Sequence, residues 1–242
     1  MVAKPNIQVA TREESWKLSR RKILTGMIAG AALVATGRTA KAACEVTPFQ
    51  VDGPFYPLAI KDYDWDLTSV TGGTGRAEGD VIEVTGQVID EKCQPLPGSV
   101  LEVWQANVRG RYDHPGDSST ERPFDPNFQG YARIPTDKDG MYRFLTIIPG
   151  SYSAIGDWVR PPHIHFKVHA PFNPSVTTQM YFAGEPLNDI DLLLAPLSPE
   201  QRALLEVPFD TVRADGIRTG VFNPTIAEGW TPPEGLVIPG AG

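Results

Sequence analysis

The chain has 242 residues, of which 41% are hydrophobic and 21% charged, enough to bury a core and unlike a disordered tail. Its 23 glycines and 23 prolines suit many short strands joined by tight turns better than long helices. A net charge of −7 excludes a generally basic surface for nucleic acid or an anionic membrane.

The charge is unevenly spread. Residues 1–42 hold eight Lys and Arg against Glu13 and Glu14, so the acidic excess lies wholly in the remainder. This leader runs from Ser19-Arg20-Arg21-Lys22 into an apolar stretch, Ile23 to Thr36, and ends in Ala40-Lys41-Ala42. A charged start, a short apolar run and an A-x-A-like cleavage site make an export signal. The apolar run is shorter than the ~20 residues a membrane-spanning helix needs, so no stable membrane anchor is expected after cleavage. The adjacent Arg20-Arg21 resembles a twin-arginine signal. We therefore expect residues 1–42 to be a twin-arginine-type signal peptide, 43–242 to be one domain, and the protein to be periplasmic or secreted. Two other readings are an amphipathic N-terminal helix and a lipoprotein anchored at Cys44. The only cysteines, Cys44 and Cys93, either pair in an oxidising compartment or stay as free thiols.

Residues 43–79 are irregular and turn-rich. From Asp80 the pattern becomes short β-branched runs: Val81 to Ile89, then Val100 to Trp104 after the turn segment Gln94 to Gly98. Asp139-Gly140 marks a turn before a strand over Met141–Ile147, which Pro149-Gly150 ends. His163–His169 and Thr177–Phe182 are two further strands. One short helix is expected, capped by Ser198, begun at Pro199 and continuing to Glu206. These elements predict an all-β fold, an antiparallel β-sandwich with an irregular N-terminal segment and little helix.

All four histidines lie between His114 and His169. In a strand, His163 and His165 point to one face while Ile164 and Phe166 point to the other, with the histidine Cα atoms ~6.6 Å apart. Two such imidazoles can share one metal ion, or can be two histidines satisfied within a sheet. His169 shares their face but lies too far along the strand to join them. No carboxylate stands at facial-triad spacing. Tyr112 and Tyr152 flank the pair, either as packed aromatics or as ligands. A phenol becomes a ligand only when a strongly Lewis-acidic ion takes its proton, and phenolate with imidazole suits Fe(III) better than zinc.

The ordered set of segments is more specific. It comprises Leu101-Glu102-Val103-Trp104-Gln105-Ala106-Asn107, Gly110-Arg111-Tyr112, Asp125-Pro126-Asn127-Phe128, Thr136 to Tyr152, Arg160-Pro161-x-His163-Ile164-His165-Phe166 and Thr178-Gln179-x-Tyr181-Phe182. Together, from about Gly53 to Leu187, they resemble the intradiol ring-cleavage dioxygenases, most of all the iron-bearing β subunits of protocatechuate 3,4-dioxygenases. The resemblance implies a β-sandwich holding non-haem Fe(III) through Tyr112, Tyr152, His163 and His165. It implies that Tyr152 leaves and takes up a proton when a catechol binds, and that Arg160 and Gln179 stabilise charge on the ring. The substrates would be a small aromatic diol and O2, the product a cis,cis-muconate-type dicarboxylate, and the assembly a homo-oligomer or a pairing with a related subunit.

Two features depart from that pattern. Ser153-Ala154 stands where protocatechuate enzymes have Pro-Trp, and the stretch from Tyr152 to His163 is short. Both leave catechol or hydroxyquinol 1,2-dioxygenase specificity as an alternative. Two other classes remain. Val84 to Val100 also resembles the opening of non-catalytic transthyretin-like and carboxypeptidase-regulatory-like modules. A zinc or Fe(II) site built on His163, His165 and His114 is the other.

Overall fold

The computed structural model describes residues 44–58, 62–171, 173 and 175–229. The predicted leader lies outside them. In chain order the strands are β1 (Val81–Gln87), β2 (Ile89–Asp90), β3 (Val100–Trp104), β4 (Tyr131–Pro135), β5 (Met141–Ile147), β6 (Tyr152–Ile155) and β7 (Trp158–Arg160). They continue with β8 (His163–His169), β9 (Val176–Phe182), β10 (Glu206–Val207), β11 (Thr211–Val212), β12 (Arg218–Val221) and β13 (Thr225–Ile226). Helix is confined, among the described residues, to a 3-10 turn over Pro186–Asp189 and to α1 (Pro199–Ala203). The all-β expectation holds.

Two sheets carry the fold, one in the order β11-β12-β1-β5 and one in the order β10-β9-β8-β3-β4. The pairings β1–β5, β3–β4, β3–β8 and β8–β9 are antiparallel, as expected. The C-terminal strands depart from that: β12 joins β1, β10 joins β9 and β13 joins β2 in parallel. A parallel neighbour needs a long crossover rather than a hairpin, and 130 residues (88–217) separate β1 from β12.

Strand alternation decides what each sheet buries. Ile82, Val84 and Phe144 of the first sheet meet Leu101, Val103, Ile164, Phe166 and Met180 of the second in one buried cluster. The rings of Phe144 and Phe166 bridge the sheets at 5.9 Å. Each such fully buried side chain contributes about 1.5–3 kcal/mol. Residues 63–67 close one side, because Arg133 donates to the Tyr63 carbonyl and Leu145 to that of Trp65, across the edges of β4 and β5.

The irregular N-terminal segment is not a loose lead-in. Gln50 N–H donates to the Thr177 carbonyl at 3.0 Å and Thr178 Oγ1 to that of Pro48 at 2.8 Å, so the segment runs along β9 where β10 does not reach. It then crosses the outer face of the second sheet, where Tyr56 packs edge-on against Trp104. Its start is fixed by a disulfide between Cys44 and Cys93. That bond settles the pairing left open above and removes the lipoprotein reading, which needs the Cys44 sulfur. The helix after Ser198 has a reciprocal capping box with Gln201 but stops at Ala203, not Glu206. Leu205 turns into the core and its carbonyl accepts from Tyr181 N–H, which draws Glu206 into β10.

The disulfide spans a sequence separation of 49. In the chain-entropy account its loss costs about 4 kcal/mol. The Cys44→Ser, Cys93→Ser double variant should show that loss in urea unfolding, and a change below about 1 kcal/mol would contradict the account.

Candidate metal centre

The β8 register places the two histidines of the site. Residues opposite one another in antiparallel strands share a face. His165 therefore stands between Trp104 on β3 and Gln179 on β9, and His163 stands opposite Tyr181. Trp104 and His165 stack, with ring centroids 4.8 Å apart and planes 7° from parallel. Ile164 and Phe166 point into the core, as the alternation predicts. His169 lies apart and meets Ser175 and Glu102.

The two tyrosines arrive from loops. Tyr112 follows β3, its backbone N–H donating to the buried Asp117 carboxylate at 2.9 Å. Tyr152 opens β6, directly across the β6–β7 ladder from Arg160. Each sits two residues after a glycine, and those glycines touch. A Cβ on Gly110, whose φ is +73°, would run into the Ser151 carbonyl, and a Cβ on Gly150 would lie 2.5 Å from Gly110 N. Asn107 binds the two loops together. Its carbonyl accepts from Gly110 and Gly150 N–H at 2.9 Å each, and its Oδ1 accepts from Arg109 and Arg111 N–H.

The four rings converge. Centroid distances are 4.9 Å for His163–His165, 5.6 Å for Tyr112–Tyr152, 5.8 Å for Tyr152–His163 and 6.3 Å for Tyr112–His165. Phe55 packs against both tyrosine rings. His163 Nδ1 faces the Pro161 carbonyl at 2.6 Å, which can only accept, so that nitrogen carries the proton. Its Nε2 is left as a lone pair, 3.4 Å from the Tyr112 hydroxyl. Burial, then the Arg160 charge, hold both histidines well below the ordinary imidazole range. Burial likewise raises both tyrosines above the ordinary phenol value, although Arg160 opposes it at Tyr152.

Burial thus favours a set of two neutral imidazoles and two neutral phenols. That set has lone pairs for a cation and protons that only a strongly Lewis-acidic one would displace. These residues fit ferric iron. Among the described residues no group of three or more His, Cys, Asp and Glu is arranged to hold a metal. His114 accepts from Gly116 N–H and packs on Phe55. The zinc or Fe(II) alternative built on it thus has no third ligand.

Arg160 and Gln179 come together beside the rings, with Arg160 Nη2 donating to Gln179 Oε1 at 2.8 Å. A cavity of about 290 Å³ opens here. Val51, Phe55, Ile155, Trp158 and Leu193 give it apolar walls, and Tyr152 and Arg160 supply its polar end. A larger groove of about 740 Å³ lies along β4 and β5, but it holds none of the predicted site residues. Sequence reasoning missed Asn107, Asp117, Phe55 and Asp191 as parts of this region. Asn107 and Phe55 stand in or beside quoted segments, whereas nothing local signals Asp191.

A model of the Dioxygenase family matches residues 51–216. The chain is 42% identical over 154 residues to the protocatechuate 3,4-dioxygenase beta chain of Burkholderia cepacia, covering 61% of this chain and 65% of that one. It is 28% identical to the catechol 1,2-dioxygenase of Acinetobacter baylyi, over 62% of this chain and 50% of that one. The chain thus spans about half to two thirds of the length of these curated relatives. Among solved structures it resembles the dioxygenase domain of a dioxygenase carbohydrate-binding protein fusion from Streptomyces sp. SirexAA-E. That match has 32% identity and a TM-score of 0.57, over 76% of this chain and 99% of that one.

The glycine contact is directly testable. Gly150→Ala forces a methyl group into the Val108 and Gly110 backbone, and such overpacking costs about 1–3 kcal/mol. Chemical denaturation should show that loss, and a change within about 0.5 kcal/mol would contradict the packing described.

Proposed function

The chain belongs to the intradiol ring-cleavage dioxygenase family, and from that premise we propose that it cleaves a catechol-type ring with O2 between the two hydroxylated carbons. The product would be a cis,cis-muconate-type dicarboxylate. The observation that carries this reading is the convergence of two phenols and two imidazoles, all buried, beside a cavity ended by Arg160. The family is generally dependent on non-haem iron. Here Tyr112, Tyr152, His163 and His165 would hold it. When bound, Fe(III) supplies Lewis acidity and a template for the two catechol oxygens.

The remaining work falls to the chain. Tyr152 lines the cavity, so its phenolate oxygen is the group positioned to take a hydroxyl proton from the entering diol. Arg160 is the preorganised donor for charge that builds on the ring during attack. Gln179 orients Arg160 through its carbonyl oxygen, its own amide donating to the Val51 carbonyl at 3.0 Å. Phe55, Ile155 and Trp158 offer the ring apolar walls.

The cavity also argues for a substrate. Its one charged lining residue is Arg160, whose charge is already met by Asp191. A ring carboxylate would be buried there without a free cation, at high cost. We therefore favour catechols without an anionic substituent, hydroxyquinol included, over protocatechuate. The Ser153-Ala154 departure supports the same choice. A transthyretin-like binding module needs neither tyrosine nor the Arg160–His165 run.

The iron-bound protein should hold about one ferric ion per chain and show the visible colour of tyrosinate bound to it. His163→Ala or His165→Ala should lose iron and colour together, and stoichiometric zinc in a colourless protein would contradict the proposal. In O2-uptake assays catechol should be consumed and protocatechuate should be at least roughly tenfold poorer in kcat/KM. Faster turnover of protocatechuate would overturn the substrate reading alone.

We also propose export, with residues 1–42 as the signal. The Cys44–Cys93 disulfide supports an oxidising destination. Changing Arg20 and Arg21 to lysine should leave uncleaved precursor in the cytoplasm, and undiminished export would remove the twin-arginine assignment.

A further inference from the structure

Residues 190–192 invert the usual pattern of burial. Ile190 and Leu192 are 64% and 53% exposed, while Asp191 between them is 0% exposed. An aspartate is among the residues least often buried, and only when paired. Asp191 Oδ2 accepts from Arg160 Nε at 2.9 Å, and Oδ1 accepts from the Leu193 and Leu194 N–H groups at 3.0 Å each. The carboxylate is thus fixed to the backbone on one side and to the guanidinium on the other. Arg160 Nη2 is meanwhile committed to Gln179 Oε1 at 2.8 Å and Tyr181 Oη at 3.0 Å. With Nε and Nη2 both held, the planar fork has one orientation, and its hydrogen bonding also reaches the Tyr152 phenol.

We propose that Asp191 is the positioning residue for Arg160. It fixes the guanidinium plane toward the cavity and compensates its charge, so that Arg160 meets charge developing on the substrate ring. This rests on the function proposed above. It assigns a role to a residue that none of the motif segments read from the sequence contains.

The test uses Asp191→Asn, which keeps an acceptor for the two backbone amides and removes the charge facing Nε. In the iron-loaded full-length protein kcat/KM for catechol should fall roughly 10–100-fold, the range for supporting residues of this kind. Binding of 4-nitrocatechol, read from its absorbance without turnover, should shift less than about threefold, because iron and cavity are intact. In an Arg160→Gln background Asp191→Asn should add less than about a twofold loss, since residues acting through one another are not additive. If Asp191→Asn does not fold, Asp191→Glu, which keeps the charge but displaces the carboxylate by one methylene, takes its place, with the same loss expected and the same two results overturning the proposal. An additive loss, or a single variant within about twofold of the unsubstituted protein, overturns the proposal. If the unsubstituted protein neither binds 4-nitrocatechol nor consumes O2, the function beneath it falls instead.

Discussion

Everything at this site depends on the pairing of β8 with β3 and β9. Side chains in a strand alternate, so a slip of one residue would turn His163 and His165 into the core and bring Ile164 out. The register is held because Ile164, Phe166 and Val168 are needed between the sheets, where they are fully buried. The apolar half of β8 thereby sets where its histidine half stands. The same register delivers Trp104 as a stacking floor for His165 and Gln179 as its neighbour on the other side.

The tyrosines are held by other means, and the contrast explains the glycines. Tyr112 lies in a loop and Tyr152 in the two-stranded β6–β7 ribbon, so neither is held by the two main sheets. Backbone-to-backbone contact between Gly110 and Gly150, clasped by the Asn107 carbonyl, does that work. The N-terminal segment then closes the pocket, with Gly53 over the His165 ring and Phe55 against both phenols. Burial has an electrostatic consequence. It favours the neutral form of the imidazoles and phenols, and the buried Arg160 guanidinium is met by the Asp191 carboxylate.

Much of this was legible in the sequence, for identifiable reasons. Strands β5 and β8 matched their expected bounds because turn residues and proline bracket a periodic run. The facing of His163 and His165 followed from alternation alone. The parallel placement of β10, β12 and β13 was not legible, since two to four residues carry no periodicity from which a partner can be read. The helix end was misplaced because Leu204 and Leu205 have high helix propensity, and core burial of Leu205 overrode it. Asp191 was invisible for a different reason. Its meaning lies in a contact with a residue 31 positions away, and its apolar neighbours read as core.

The central claim is that Tyr112, Tyr152, His163 and His165 together hold one ferric ion. The most direct measurement is a crystal structure of the protein as purified from iron-replete cells, with anomalous diffraction recorded on either side of the iron absorption edge. The account predicts a single strong iron peak enclosed by those four side chains. A peak that appears only at the zinc edge, or an iron peak elsewhere in the molecule, would contradict it.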